Sequence, residues 1–114
     1  MADAVIYHNP KCSTSRKTLE LLRDNGIEPD VVQYLKTPPS RAELVTMIRA
    51  AGIDVRTAVR KREALYAELN LADASDDQLL DAMAEHPILI ERPFVVTSKG
   101  TRLARPVDTV REIL

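Results

Sequence analysis

The sequence predicts an α/β fold, a mixed sheet made by a βαβ half and a ββα half with a helical insertion between them. Three observations carry this. Apolar "AVIY" (4–7), a helical stretch from Ser13 and β-branched "DVVQYL" (30–35) follow one another at the start. "FVVT" (94–97) and "TRLA" (101–104) flank a short turn near the end. Between the halves, helical periodicity runs without a strand pattern.

In chain order, "AVIY" is bounded by the turn-forming "HNP", as a short buried strand would be. From Ser13 the chain reads as helix, with Leu19, Leu21 and Leu22 inward, and Asn25-Gly26 stops it because glycine tolerates the left-handed conformation. "DVVQYL" is a second strand by its β-branched and aromatic content. Strand, helix and strand at this spacing form a right-handed βαβ unit. Ser40 and Glu43 spell a capping box before Leu44, Met47, Ile48 and Ala51, and Gly52 ends that helix. Asp54 caps a short segment with Val55, Ala58 and Val59, and "EALYAEL" (63–69) is rich in helix formers. Ser75 and Gln78 open another capping box ahead of Leu79, Leu80 and Met83, with Pro87 closing the helix. "SKG" (98–100) turns the hairpin. Pro106 suits the first position of a last helix that carries Val107, Val110, Ile113 and Leu114. The βαβ…ββα order matches thioredoxin-like architecture, with one domain spanning residues 1–114 and the helical insertion at about 40–86.

Sixteen basic and seventeen acidic side chains give a formal charge of −1, so no bulk charge draws the chain to nucleic acid or membrane. Apolar runs fall far short of the ~20 residues a spanning helix needs. "MADAVIYHNP" has no basic-then-apolar leader pattern. A single cysteine forms no internal disulfide, and with two histidines it builds no structural zinc site. The expectation is a reduced, cytoplasmic protein without metal.

That cysteine, Cys12, stands where the first strand ends and the first helix opens. A helix N-terminus presents unpaired N–H groups and a partial positive charge, which favour thiolate over thiol. Ser13, Thr14 and Ser15 offer hydroxyl donors, and Arg16 offers charge. The plainer alternative, a small buried filler, fits poorly among Asn, Pro, Lys, Ser and Thr. Dithiol chemistry needs a second cysteine at position 15, where Ser15 stands. A tyrosine-phosphatase-type phosphate loop needs an arginine at position 18, where Thr18 stands. Single-thiol chemistry remains, completed by a thiol from another molecule. An oxyanion substrate needs cations, and Arg60, Arg92, Arg102 and Arg105 are available. Their planar forks suit oxyanions, although a solvated surface charge is the usual role of an arginine. Arg92 and Arg105 each precede a proline, and fold analogy assigns Arg92-Pro93 a cis bond facing Cys12. The residues alone reach single-thiol oxyanion or glutathione chemistry on a thioredoxin-like scaffold.

"YHNPKCSTSRKTLELLR", "YLKTPPSRAEL", "VRKRE", "HPILIERPFVVTSKGTRLARP" and "VREIL" together resemble the glutaredoxin-coupled arsenate reductases, from Ile6 to Leu114 and in the same order. The resemblance implies a detoxifying reduction of arsenate to arsenite with glutathione as co-substrate, glutaredoxin as partner and no bound cofactor. It assigns the nucleophile to Cys12, the oxyanion-binding arginines to Arg60, Arg92 and Arg105, and the histidine that influences the nucleophile to His8. As a cation, His8 would lower the thiol pKa; as a neutral ring, it would accept a hydrogen bond that fixes the loop; the plainer alternative is a partly exposed loop histidine. His86, at a helix end, reads as structural. Two rivals share the fold: an adaptor that binds RNA polymerase, and a thiol-transfer protein indifferent to arsenate.

Overall fold

The computed structural model describes residues 3–114; Met1 and Ala2, which the expected 1–114 domain includes, lie outside the described residues. Contacts divide the described residues into two compact units, one made of those up to Thr37 together with Arg92–Leu114 and the other of Pro38–Glu91.

The first unit holds four strands, β1 (Ala4–His8), β2 (Asp30–Gln33), β3 (Phe94–Thr97) and β4 (Gly100–Leu103), and the helix α1 (Ser13–Asp24). The sheet order is β2-β1-β3-β4. β1 runs parallel to β2, with Ile6 opposite Val31, and antiparallel to β3, with Ile6 opposite Val95. β3 and β4 form the hairpin around Ser98 and Lys99. This is the expected mixed, thioredoxin-like sheet, with every helix of the insertion falling between β2 and β3 in the chain.

Alternation along β1 sends Ala4, Ile6 and His8 to the buried side. Ile6 packs there with Leu22 of α1, Val95, Ala104, Val110 and Ile113, bordered by Leu19, Leu21 and Ile27. The end of α1 is a full Schellman closure. Gly26, at φ +75°, donates its N–H to Arg23 O, and Ile27 donates to Leu22 O at 2.9 Å. That closure turns Ile27 back onto the core and feeds the chain into β2.

Two differences from expectation concern boundaries. β2 ends at Gln33, and Tyr34 and Leu35 enter a turn in which Lys36 and Thr37 donate to Gln33 O. The last helix is 3₁₀, Val107–Ile113, with Pro106 as its N-cap in extended conformation rather than as its first helical residue. Its apolar positions, 107, 110 and 113, recur every three residues, the 3₁₀ period. β-branched Val107, Thr109, Val110 and Ile113 also disfavour the α-helix.

The second unit is helical: α2 (Arg41–Ala50), α3 (Val55–Ala58), α4 (Ala64–Glu68) and α5 (Asp76–Glu85), with 3₁₀ turns at Leu71–Asp73 and Pro87–Leu89. Both expected capping boxes form. Ser40 accepts from Glu43 N–H while the Glu43 side chain accepts from Ser40 N–H, and Ser75 and Gln78 do the same. Asp54 caps α3 through Thr57 N–H. α2 packs on α5, burying Leu44, Met47 and Ile48 alongside Leu79, Leu80 and Met83. Among the described residues no helix is long and apolar enough to cross a membrane.

Candidate active site

Residues 9–12 carry the chain from β1 to α1, and backbone geometry holds them closely. Asn9 Oδ1 accepts from Lys11 N–H at 3.0 Å, Asn9 O accepts from Cys12 N–H at 3.0 Å, and Arg16 Nη1 donates to Pro10 O at 2.8 Å. Cys12 is the N-cap residue, with extended backbone at φ −94° and ψ 121°. Its side chain is half-buried, open to reagents yet partly shielded.

Burial pushes the Cys12 thiol up, but four influences outweigh it. Ser15 N–H donates to the sulfur, the Arg92 guanidinium donates to it and sets a positive charge beside it, and Thr14 N–H donates as well. The net effect holds the thiol below its ordinary value of 9.0. The expected cause was the helix N-terminus plus nearby hydroxyls and Arg16. The N–H groups do act, but the cation is Arg92, and no hydroxyl caps α1.

The Ser15 hydroxyl is directed elsewhere. It is fully buried, accepts from Asn9 N–H at 3.1 Å and lies 2.6 Å from His8 Nδ1. Asn9 N–H takes one lone pair of this oxygen, and we assign the hydroxyl proton to Nδ1, which places the hydrogen of neutral His8 on Nε2. Burial first, then the charges of Arg23 and Arg16, lowers the His8 pKa from 6.5. Of the roles open to His8 in the sequence, these surroundings favour the neutral, hydrogen-bonded ring, and its burial rules out a partly exposed loop histidine. Ser15 thus touches both expected residues, Cys12 through its backbone and His8 through its side chain, a link that the sequence offered only as one hydroxyl among three.

Arg92 is 6% exposed and precedes a cis proline, Pro93, as expected. A second cis bond, Arg105-Pro106, was not anticipated. Arg105 Nη1 donates to Arg92 O at 2.8 Å, and Ala104 N–H donates to Pro93 O at 2.9 Å. The turn before β3 and the segment after β4 are thereby stitched together. Arg102 is engaged by Glu112 at 2.9 Å. The first unit therefore brings together Cys12, His8, Arg92 and Arg105.

Arg60 belongs to the second unit. It follows the bridge between Val59 and Ile90 and donates its N–H to Leu89 O at 2.7 Å. Its Nε meets Glu63 and its Nη1 meets Glu91, each at 3.1 Å, with all three side chains at most a quarter exposed. These carboxylates were not singled out in the sequence, although Glu63 lies one helical turn from Arg60. His86 is the C-cap of α5.

A thiolate held by backbone N–H groups and a guanidinium is a nucleophile suited to an electrophilic oxyanion centre. The model of the ArsC family matches residues 7–113. A Rhizobium meliloti protein named arsenate reductase is 62% identical over 96% of this chain and 79% of its own length. An Escherichia coli K12 protein of the same name is 54% identical over all of this chain and 82% of its own. A solved structure titled arsenate reductase from Vibrio cholerae superposes with a TM-score of 0.94 at 53% identity, covering 99% of this chain and 98% of that one. With a matching family model across nearly its whole length and relatives at this identity, the chain belongs to the ArsC family.

Proposed function

We propose that this protein reduces arsenate to arsenite, with glutathione and glutaredoxin supplying the electrons. One observation carries the reading: the Cys12 sulfur receives Ser15 N–H, Thr14 N–H and the Arg92 guanidinium, in a chain 62% identical to a protein named arsenate reductase. Arg92 and Arg105 hold arsenate oxygens beside that sulfur, and the family resemblance adds Arg60 as the third oxyanion ligand. Glu63 and Glu91 take Nε and Nη1 of Arg60 and fix the plane of its fork.

In the first step the Cys12 thiolate bonds to arsenic and one arsenate oxygen leaves as water, giving a Cys12–S–As(V) ester. The sulfur of glutathione displaces a second oxygen, again as water. A glutaredoxin thiol then attacks the glutathione sulfur. The As–S bond breaks, its electron pair stays on arsenic as As(III), and the two external sulfurs leave as a mixed disulfide. Water cleaves the remaining Cys12–S–As(III) bond, releasing arsenite and restoring the thiol. One cysteine in the chain suffices because the other two thiols arrive from solution.

The test is NADPH consumption through glutathione reductase in the presence of glutathione, glutaredoxin and arsenate. Wild type turns over only with arsenate, and Cys12→Ser is silent while remaining folded. Turnover without arsenate would instead assign simple thiol transfer, and substantial activity in Cys12→Ser would eliminate the covalent route.

A further inference from the structure

Alongside α1 runs a groove of about 450 Å³ lined by His8, Pro10, Arg16, Leu19, Glu20, Arg23 and Asp24. Its volume lies in the ~300–1,000 Å³ range of small-molecule sites. His8 and Pro10 place one end at the Cys12 loop. From Arg16 to Asp24 the helix rises roughly 12 Å, close to the roughly 10 Å of an extended tripeptide.

The lining is dipolar. Arg16 and Arg23 supply two guanidinium groups, and Glu20 and Asp24 supply two exposed carboxylates four residues apart. Neither carboxylate has an ion-pair partner among the described residues, so both are open to a ligand ammonium. Arg23 is held by Glu28 at 3.0 Å, but this pair is well exposed and readily exchanged for another carboxylate. Leu19 and Pro10 provide an apolar floor. His8 is 7% exposed, its Nδ1 is occupied by Ser15, and Nε2–H remains for whatever fills the groove.

We propose that this groove binds glutathione, with the γ-glutamyl ammonium and carboxylate on Glu20, Asp24 and Arg23 and the glycyl carboxylate on Arg16. The cysteinyl sulfur meets His8 Nε2–H at the Cys12 end, where that hydrogen bond favours its thiolate. The inference rests on the arsenate reading above for the use of the thiol, but glutathione binding itself can be measured without arsenate. His8 then has a bridging position: one nitrogen fixes the loop that presents Cys12 and the other orients the incoming thiol.

The probe is S-methylglutathione, which keeps every charged group of glutathione and cannot react. It is titrated into the full chain by calorimetry and by amide chemical-shift mapping. Expected are saturable binding, shifts centred on residues 16–24, and an affinity loss of at least about tenfold in Arg23→Glu and in Glu20→Lys. Both positions are exposed, and unchanged circular dichroism checks that each variant folds. In the coupled assay the same variants raise KM for glutathione and leave KM for arsenate unchanged. Absence of saturable binding, or binding indifferent to both charge reversals, overturns the proposal. Binding weakened by both reversals in a protein that does not reduce arsenate upholds the groove and discards the arsenate reading alone.

Discussion

The guanidinium of Arg105 donates to the carbonyl oxygen of Arg92 at 2.8 Å. Through this bond the second cation braces the backbone that presents the first, and the first donates to the Cys12 sulfur. Nη1 is committed to the carbonyl, so Arg105 acts through both its position and its fork. Arg105→Met is expected to lower kcat/KM for arsenate by about 10²–10³, as when one oxyanion donor is removed. Arg105→Lys keeps the charge and loses the fork, so its loss is intermediate. Steady-state coupled assays at varied arsenate measure both, and wild-type kinetics in the lysine variant would remove Arg105 from the site.

Arg92 and the two N–H groups must together overcome the burial that pushes the thiol up. The wild-type titration midpoint, followed by thiolate absorbance at 240 nm or by the pH dependence of iodoacetamide alkylation, is expected below 9.0. Arg92→Met keeps most of the bulk and removes both the hydrogen bond and the charge, so the midpoint moves upward. Arg92→Lys restores part of the shift. If Arg92→Met titrates like wild type, the guanidinium does not support the thiolate.

His8 gives the fold a pH dependence whose sign is fixed by burial. Its folded pKa lies below 6.5, the value it regains on unfolding, so in acid the unfolded chain binds the proton first. With more protons bound in the unfolded state, stability rises with pH. The contribution is complete above about pH 6.5 and is lost as pH falls through the lower folded value. Glu43 and Asp54, whose pKa values are lowered below 4.5 and 3.8 by their capping hydrogen bonds, act further into acid. Urea midpoints at pH 7.5, 6.5 and 5.5 are expected to fall across this series, and His8→Gln to flatten the decline. An equal slope in both proteins would mean that another group titrates there.

What the sequence made legible was local chemistry with a short reach. Ser40 with Glu43 and Ser75 with Gln78 announce helix starts because the partners sit three residues apart on one turn. Gly26 announces an end because few other residues adopt its left-handed backbone. The cis Arg92-Pro93 bond was legible by fold analogy. Less legible were relationships set by tertiary approach. Nothing near Arg60 in sequence points to Glu91, and nothing near Ser15 says that its hydroxyl turns from Cys12 to His8, seven residues back. The last helix forms where expected but as 3₁₀, with Pro106 just outside it, and the signal for that type was present. Val107, Val110 and Ile113 repeat at three, and the α-period fits that spacing only approximately.

The two roles of Ser15 are separable because one belongs to its backbone and the other to its side chain. Ser15→Ala removes the oxygen that accepts Asn9 N–H and the hydroxyl that meets His8 Nδ1, yet it retains the N–H that donates to Cys12. Both deprived groups are buried, His8 at 7% and Asn9 at 6% exposure, so neither recovers its partner readily from solvent. A loss of about 1–3 kcal/mol is expected for leaving such groups unsatisfied, read from urea unfolding at pH 7.5, where His8 is neutral in both states. The thiol titration should stay below 9.0, since Ser15 N–H, Thr14 N–H and Arg92 remain in place. Stability within a few tenths of wild type would show that the hydroxyl does not hold the loop. A thiol restored to its ordinary value would show instead that the hydroxyl, rather than the amide, is what Cys12 senses.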